Sequence, residues 1–148
     1  EPYRRQRQMC IRDSLRAMLD EMGIQTTADS DGDLYTVLGA DTDFSHNVII
    51  YFVIDGDWLG VTGFADGFDI EERNLAAAIC YANEFNRRAK LPKVFISNSR
   101  YRLEHWTLID EEVSEAFVKE NCIRMIVPLI WRFFSETERQ FGGKEDGQ

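Results

Sequence analysis

The sequence predicts an α+β fold in one domain, ordered helix, three or four strands, helix, two strands, helix (α-β(3-4)-α-β-β-α). Three observations carry that prediction. Apolar residues recur at helical spacing near both ends and in the middle of the chain. Between the helical stretches lie β-rich runs cut by Asp-Gly pairs at 31–32 and 55–56. A second β-rich pair follows Pro92. Such Asp-Gly pairs suit the positive-φ positions of tight hairpins, so the sheet is expected to be antiparallel.

The first helix is read from Ile11, Leu15, Met18, Leu19 and Met22, with Gly23 placed as a left-handed terminator. The runs GIQTTA, LYTVLGA, HNVIIYFVI and WLGVTGF then form a meander. Val48–Ile54 is continuously apolar, so this strand is expected to be covered on both faces. In the second helix Leu75, Ala78, Ile79, Ala82 and Phe85 share helical spacing, and Asp69 with Glu72 resembles a capping box.

The stretch NEFNRRAKLPKVFI (83–96) ends that helix. Asparagine competes with the helical backbone through its own side-chain hydrogen bonds, which favours it near helix ends. Pro92 disfavours helical geometry at Leu91 and pushes the chain into an extended form. Asn83 and Asn86 are therefore read as fold residues. KVFIS and YRLEHWTLI form the second hairpin, turning at Ser97–Ser99, with Tyr101 and Leu103 on one face and Arg102 and Glu104 on the other. Ser114 offers an N-cap for a final helix running to about Phe141, which Pro128 should bend or break.

No internal repeat or linker divides the 148 residues, which form one domain, 1–148, with a core over about 8–141 and a solvated tail at 142–148. Beginning at Glu1 without a methionine, the chain is expected to be trimmed or a fragment. A net charge of −9 argues against a surface that neutralises nucleic-acid phosphates. Cys10, Cys80 and Cys122 lie far apart inside apolar helical stretches and are read as reduced core residues of a cytoplasmic protein. No signal peptide is recognised, and the longest apolar run, 122–134, is too short and too charged to span a bilayer.

The motifs exclude more than they offer. DSDGD (29–33) has its glycine at the fourth position and Ala40 at the twelfth, so it fails as a calcium loop and reads as an Asp-rich turn. Ser45 beside His46, and Glu104 beside His105, point to opposite faces if extended, so neither histidine gains a catalytic partner. No phosphate-binding loop, dinucleotide fingerprint, nucleophile elbow or zinc-protease motif occurs. The expectation is a non-enzymatic protein without cofactor or metal. Its most informative element is the last helix, where between Cys122 and Phe134 only Arg124 and Arg132 are charged. Such a helix is buried on more than one side. Either it crosses its own core, or it presents Ile130, Trp131, Phe133 and Phe134 to another chain, giving a homodimer or a protein partner.

The element order, with ANEFNRRAKLPKVF and the supporting VIIYFVIDGDWLGV, resembles the YbjN family, whose members carry the label of sensory-transduction regulators and a type III secretion chaperone-like fold. The resemblance covers roughly residues 8–141. It implies a two-layer sandwich with a twisted antiparallel sheet, frequently dimeric, and no known catalysis. It also implies that Asn83, Phe85, Asn86 and Pro92 form the fold signature where the helix leads into the second hairpin. One departure is the Ser97–Ser99 turn, which lacks the usual glycine. The function expected is a chaperone-like protein-binding regulatory module. The alternative is a small-molecule sensor with a pocket between sheet and helices, lined by Tyr51, Trp58, Phe64 and Trp106.

Overall fold

A computed structural model describes residues 2–141. The expected tail at 142–148 lies outside the described residues. Helix α1 (Pro2–Glu21) leads into strands β1 (Thr27–Ala28), β2 (Leu34–Leu38), β3 (Val48–Asp55) and β4 (Trp58–Ala65). After a 3-10 turn, Glu72–Asn74, come α2 (Leu75–Arg88), β5 (Lys93–Ser97) and β6 (Arg100–Leu108). The last helical unit begins as α3 (Glu115–Phe117), passes through a π-helical segment (Val118–Arg124) and ends as α4 (Ile126–Phe141). The strands form one antiparallel sheet in the order β1-β2-β3-β4-β6-β5. Among the described residues no helix is long and apolar enough to cross a membrane.

The Asp-Gly turns do what their chemistry allows. Gly56 takes φ 58° in the two-residue loop joining β3 to β4. In the first turn the Asp29 carboxylate accepts hydrogen bonds from the backbone N–H groups of Asp31 and Asp33, both at 2.9 Å, so DSDGD caps itself.

Packing is one-sided. Val48, Ile50, Phe52 and Ile54 of β3 are buried, whereas Ile49, Tyr51 and Val53 are only partly so. The expectation that both faces of this strand are covered is therefore corrected. The helices lie on the side of Val48 and Ile50. Gly63 of β4 shows how close they come, because a Cβ built there would lie 2.7 Å from Ile130 Cγ2 and 3.0 Å from Ile50 Cδ1. Only glycine lets α4 rest so deeply on the sheet.

The expectation that the last helix is buried on more than one side is corrected: α4 buries one broad face in the core of its own chain and leaves the other to solvent. Ile126, Ile130, Phe133, Phe134 and Thr137 form a buried stripe. Phe133 meets the rings of Tyr81 and Phe85 from α2 and Tyr101 from β6 at 5.1–5.8 Å. Phe134 meets Phe44 and Phe68, at 5.6 and 6.3 Å. Burial of such side chains is worth roughly 1.5–3 kcal/mol each. The opposite stripe is polar, with an Arg132–Glu136 ion pair at 2.9 Å. Pro128 marks a break in the last helical unit: the π-helical segment ends at Arg124, and Pro128 falls in the first turn of α4, where its missing N–H costs that helix no bond. Ser114 caps α3 by accepting from Phe117 N at 3.1 Å.

Two further local readings change. Asp69 does not cap α2; its carboxylate receives Arg100 Nε at 2.7 Å. Of the cysteines only Cys122 is buried, while Cys10 and Cys80 are exposed.

Candidate protein-binding surface

The sheet's second face is where the sequence-selected aromatics reappear. In β4, β3 and β6 alternate residues point away from the helices, and register aligns them. Tyr51 lies opposite Thr62, Ile49 opposite Phe64, Gly60 opposite Trp106, and Trp58 opposite Leu108. Tyr51, Trp58, Phe64 and Trp106 thus share one face, the one turned from the helices. They do not line a pocket between sheet and helices, which corrects that expectation. The cleft on the helical side, about 590 Å³, is instead lined by aliphatic residues such as Ile11, Met18, Ile54 and Leu59, with no aromatic ring.

The outer face continues beyond those four. Val37 and Ile49 pair on it, and Phe95 faces Arg102, which in turn faces Phe64. Val37 is 46% exposed, Trp58 46%, Leu108 49% and Phe95 36%, although all are large and apolar. The residues are ordered into contacts. Tyr35 and Tyr51 stack at 5.3 Å between ring centroids. A Cβ at Gly60 would lie 2.6 Å from Trp106 ring carbons, so this glycine is the seat of the indole. Trp106 Nε1 donates to Glu104 at 2.9 Å, which fixes the ring's rotation. Burial, followed by Asp29 and Tyr35 nearby, holds the Tyr51 phenol above its ordinary range. A polar row of Thr62, Glu104 and Lys93 crosses this face between its two apolar ends; large exposed apolar areas on a domain surface are a usual feature of interaction sites.

The residues expected to reach a partner are placed elsewhere. Ile130, Phe133 and Phe134 have exposures of 0%, 1% and 0% within the single chain. That removes them from any surface, because β4, α2 and the Phe44 loop already enclose them. Trp131 alone stays partly exposed, edge-on to Phe44 at 5.9 Å.

The NEFN stretch resolves residue by residue. Asn86 Nδ2 donates to Val94 O at 2.9 Å, and its Oδ1 accepts from Val94 N at 3.0 Å. The side chain thus acts as a one-residue strand against the free edge of β5, occupying groups another chain would otherwise pair with. Phe85 packs on Phe133. Pro92 follows a cis Leu91–Pro92 bond after α2 has ended at Ala89 in extended geometry. Asn83 is exposed and makes no side-chain hydrogen bond among the described residues.

The two histidines lie in separate surroundings. His46 packs against Phe44 and Phe68 at 5.5 and 5.4 Å, and its neighbour Ser45 hydrogen-bonds Glu138 instead. His105 points inward opposite Val61, and burial lowers its pKa from 6.5.

Fold and surface together define an α+β domain whose sheet is covered by helices on one side and presents an ordered aromatic face on the other. The fold is that of YbjN. The crystal structure of E. coli YbjN, a presumed transcription regulator, matches with a TM-score of 0.69 over 87% of this chain and 92% of that one. Identity is 11%, so the likeness is one of fold. No family model matches the chain, and no curated protein matches it in sequence.

Proposed function

We propose that this chain is a non-enzymatic, protein-binding regulatory module that takes a partner polypeptide on the outer face of its sheet. The observation that carries the reading is the convergence of Tyr51, Trp58, Phe64, Trp106, Val37 and Phe95 on one uncovered face. Backbone edge pairing, the other route to an extended peptide, is blunted at β5 by Asn86. Side-chain contact on the face therefore dominates recognition. The regulatory part of the reading is supported by the name of the YbjN neighbour, and the net charge of −9 favours a protein partner over nucleic acid. The burial of Ile130, Phe133 and Phe134 within the single chain supports placing the contact on the outer face, whether the polypeptide is a partner or a second copy.

The test is binding of polypeptides selected on the full chain, compared between wild type and a Val37→Ser/Trp58→Ser variant. Both residues are half exposed, so the fold should hold. Affinity should fall at least tenfold in that variant and stay unchanged in Ile79→Ser, 53% exposed on α2. Equal binding by all three proteins would refute the reading. Light scattering on the same samples reports whether the ligand is a second copy.

A further inference from the structure

The outer face is not uniformly apolar, and its one uncompensated cation points to the chemistry of what it binds. Across the strands runs a lane of Val37, Ile49, Phe64, Arg102 and Phe95, each directly opposite the next. The Arg102 guanidinium lies 5.4 Å from the centroid of the Phe64 ring, and that of Arg100 lies 5.7 Å from it. Arg100 is already neutralised by Asp69 at 2.7 Å, and Lys93 faces Glu104 at 3.9 Å. Among the described residues no carboxylate comes within ion-pair distance of Arg102.

Arg102 sits on β6, and the neighbouring hairpin turns through Asn98 and Ser99 at φ 52° and 62°, a conformation favouring glycine. Ser99 O accepts from Ile70 N at 2.7 Å, which ties this turn to the β4–α2 connection. A cleft of about 520 Å³, lined by Phe64, Ile70, Ser99, Arg100 and Arg102 among others, lies between them.

We infer that the partner is a polypeptide segment carrying one Asp or Glu among apolar residues, its carboxylate seated on Arg102 beside the Phe64 ring. This rests on the proposed role of the outer face. A guanidinium laid against an aromatic ring keeps its N–H edge free, and that edge matches a carboxylate in two parallel hydrogen bonds. Once a segment lies over the face, the Phe64 and Phe95 rings beside Arg102 shield such a contact and raise its worth above that of an open surface pair. A single free cation on this face, in a chain of net charge −9, suits one carboxylate and not a polyphosphate backbone.

The experiment pans a displayed library of random 12-residue peptides on the full chain and measures labelled binders by fluorescence anisotropy at 150 mM NaCl. Each acidic binder is paired with its Glu→Gln version. The result expected is enrichment of one acidic position between apolar ones, with Glu→Gln weakening binding about tenfold on wild type and not at all on Arg102→Gln. Arg102→Lys should retain part of the preference. Binders that depend on Trp58 but show no acidic preference would overturn this inference and leave the outer face standing. No binders, or binders indifferent to both Trp58→Ser and Arg102→Gln, would overturn both. A single-stranded oligonucleotide binding through Arg102 more tightly than any peptide would also overturn it.

Discussion

Gly63 and Ile130 offer a direct check of how α4 meets the sheet. In Gly63→Ala the new Cβ would lie 2.7 Å from Ile130 Cγ2, 3.0 Å from Ile50 Cδ1 and 3.4 Å from Ile130 Cδ1. Carbon atoms are at their optimum at about 3.5–4.0 Å, so two of the three distances are strongly repulsive. Neither neighbour can swing away, because Ile50 and Ile130 are both fully buried. Overpacking of this kind costs about 1–3 kcal/mol. Ile130→Ala alone opens a cavity and should cost about 3–4 kcal/mol at a site with no exposure. In the double variant the methyl added at position 63 enters the space the isoleucine vacates, and the clash with that side chain disappears. The pair should therefore be less destabilised than the two single losses together, by about 1–2 kcal/mol. Urea denaturation followed by circular dichroism reads this out, with shifted midpoints and an unchanged slope. Losses that add to within about 0.5 kcal/mol would show that α4 does not rest on β4 at Gly63.

Other positions give equally concrete expectations. Phe134→Glu buries a carboxylate among Phe44, Phe68 and Phe133 and should leave the chain unfolded, whereas Trp131→Glu should fold with a loss of about 1 kcal/mol, as thermal melts of the two would show. Asn86→Ala removes both hydrogen bonds to Val94; water replaces part of them, so the cost should be about 1 kcal/mol, with faster exchange of the Val94 amide and concentration-dependent association through the freed edge. His105 has a folded-state pKa below 6.5 because burial disfavours its charged form, so the unfolded chain binds the proton more readily. Its contribution to stability is intact above about pH 6.5 and is lost as pH falls below it, and His105→Gln should flatten that part of the stability profile.

Much of the fold was legible because local chemistry sets it. The helical stripes of α1 and α2, the Gly56 hairpin, the Ser114 cap and the stop before Pro92 all depend on residues close in sequence. What the sequence hid are contacts across long separations. Asp69 looked like a cap because Glu72 is near it in sequence, but Arg100, far along the chain, holds the carboxylate. Asn86 was placed correctly at the end of a helix, yet its partner is an edge strand that only the tertiary fold brings alongside.

The surface was concealed for a different reason. An apolar run such as Val48–Ile54 is indistinguishable by composition from a strand buried on both sides, and an outward sheet face built of aromatics reads as interior. A signal was present. The two-residue loop at Gly56–Asp57 forces Tyr51 opposite Thr62 and Ile49 opposite Phe64, which already places Tyr51, Trp58 and Phe64 on a common face. Strand β6 has no such local anchor to β4, so Trp106, Arg102 and Leu108 could be assigned to that face only from the structure. The last helix misled in the opposite direction: its breadth of apolar residues is used up by three separate neighbours inside one chain.

The central claim is that polypeptide binds the outer face of the sheet and not the helical side. Its most direct test is an NMR titration of the isotope-labelled chain with a selected peptide. The account predicts shifts concentrated at Val37, Ile49, Phe64, Phe95 and the Trp58 and Trp106 indoles, with α1 and α4 quiet. Shifts clustered instead at Ile11, Met18 and Ile109, around the aliphatic cleft beside α1, would contradict it.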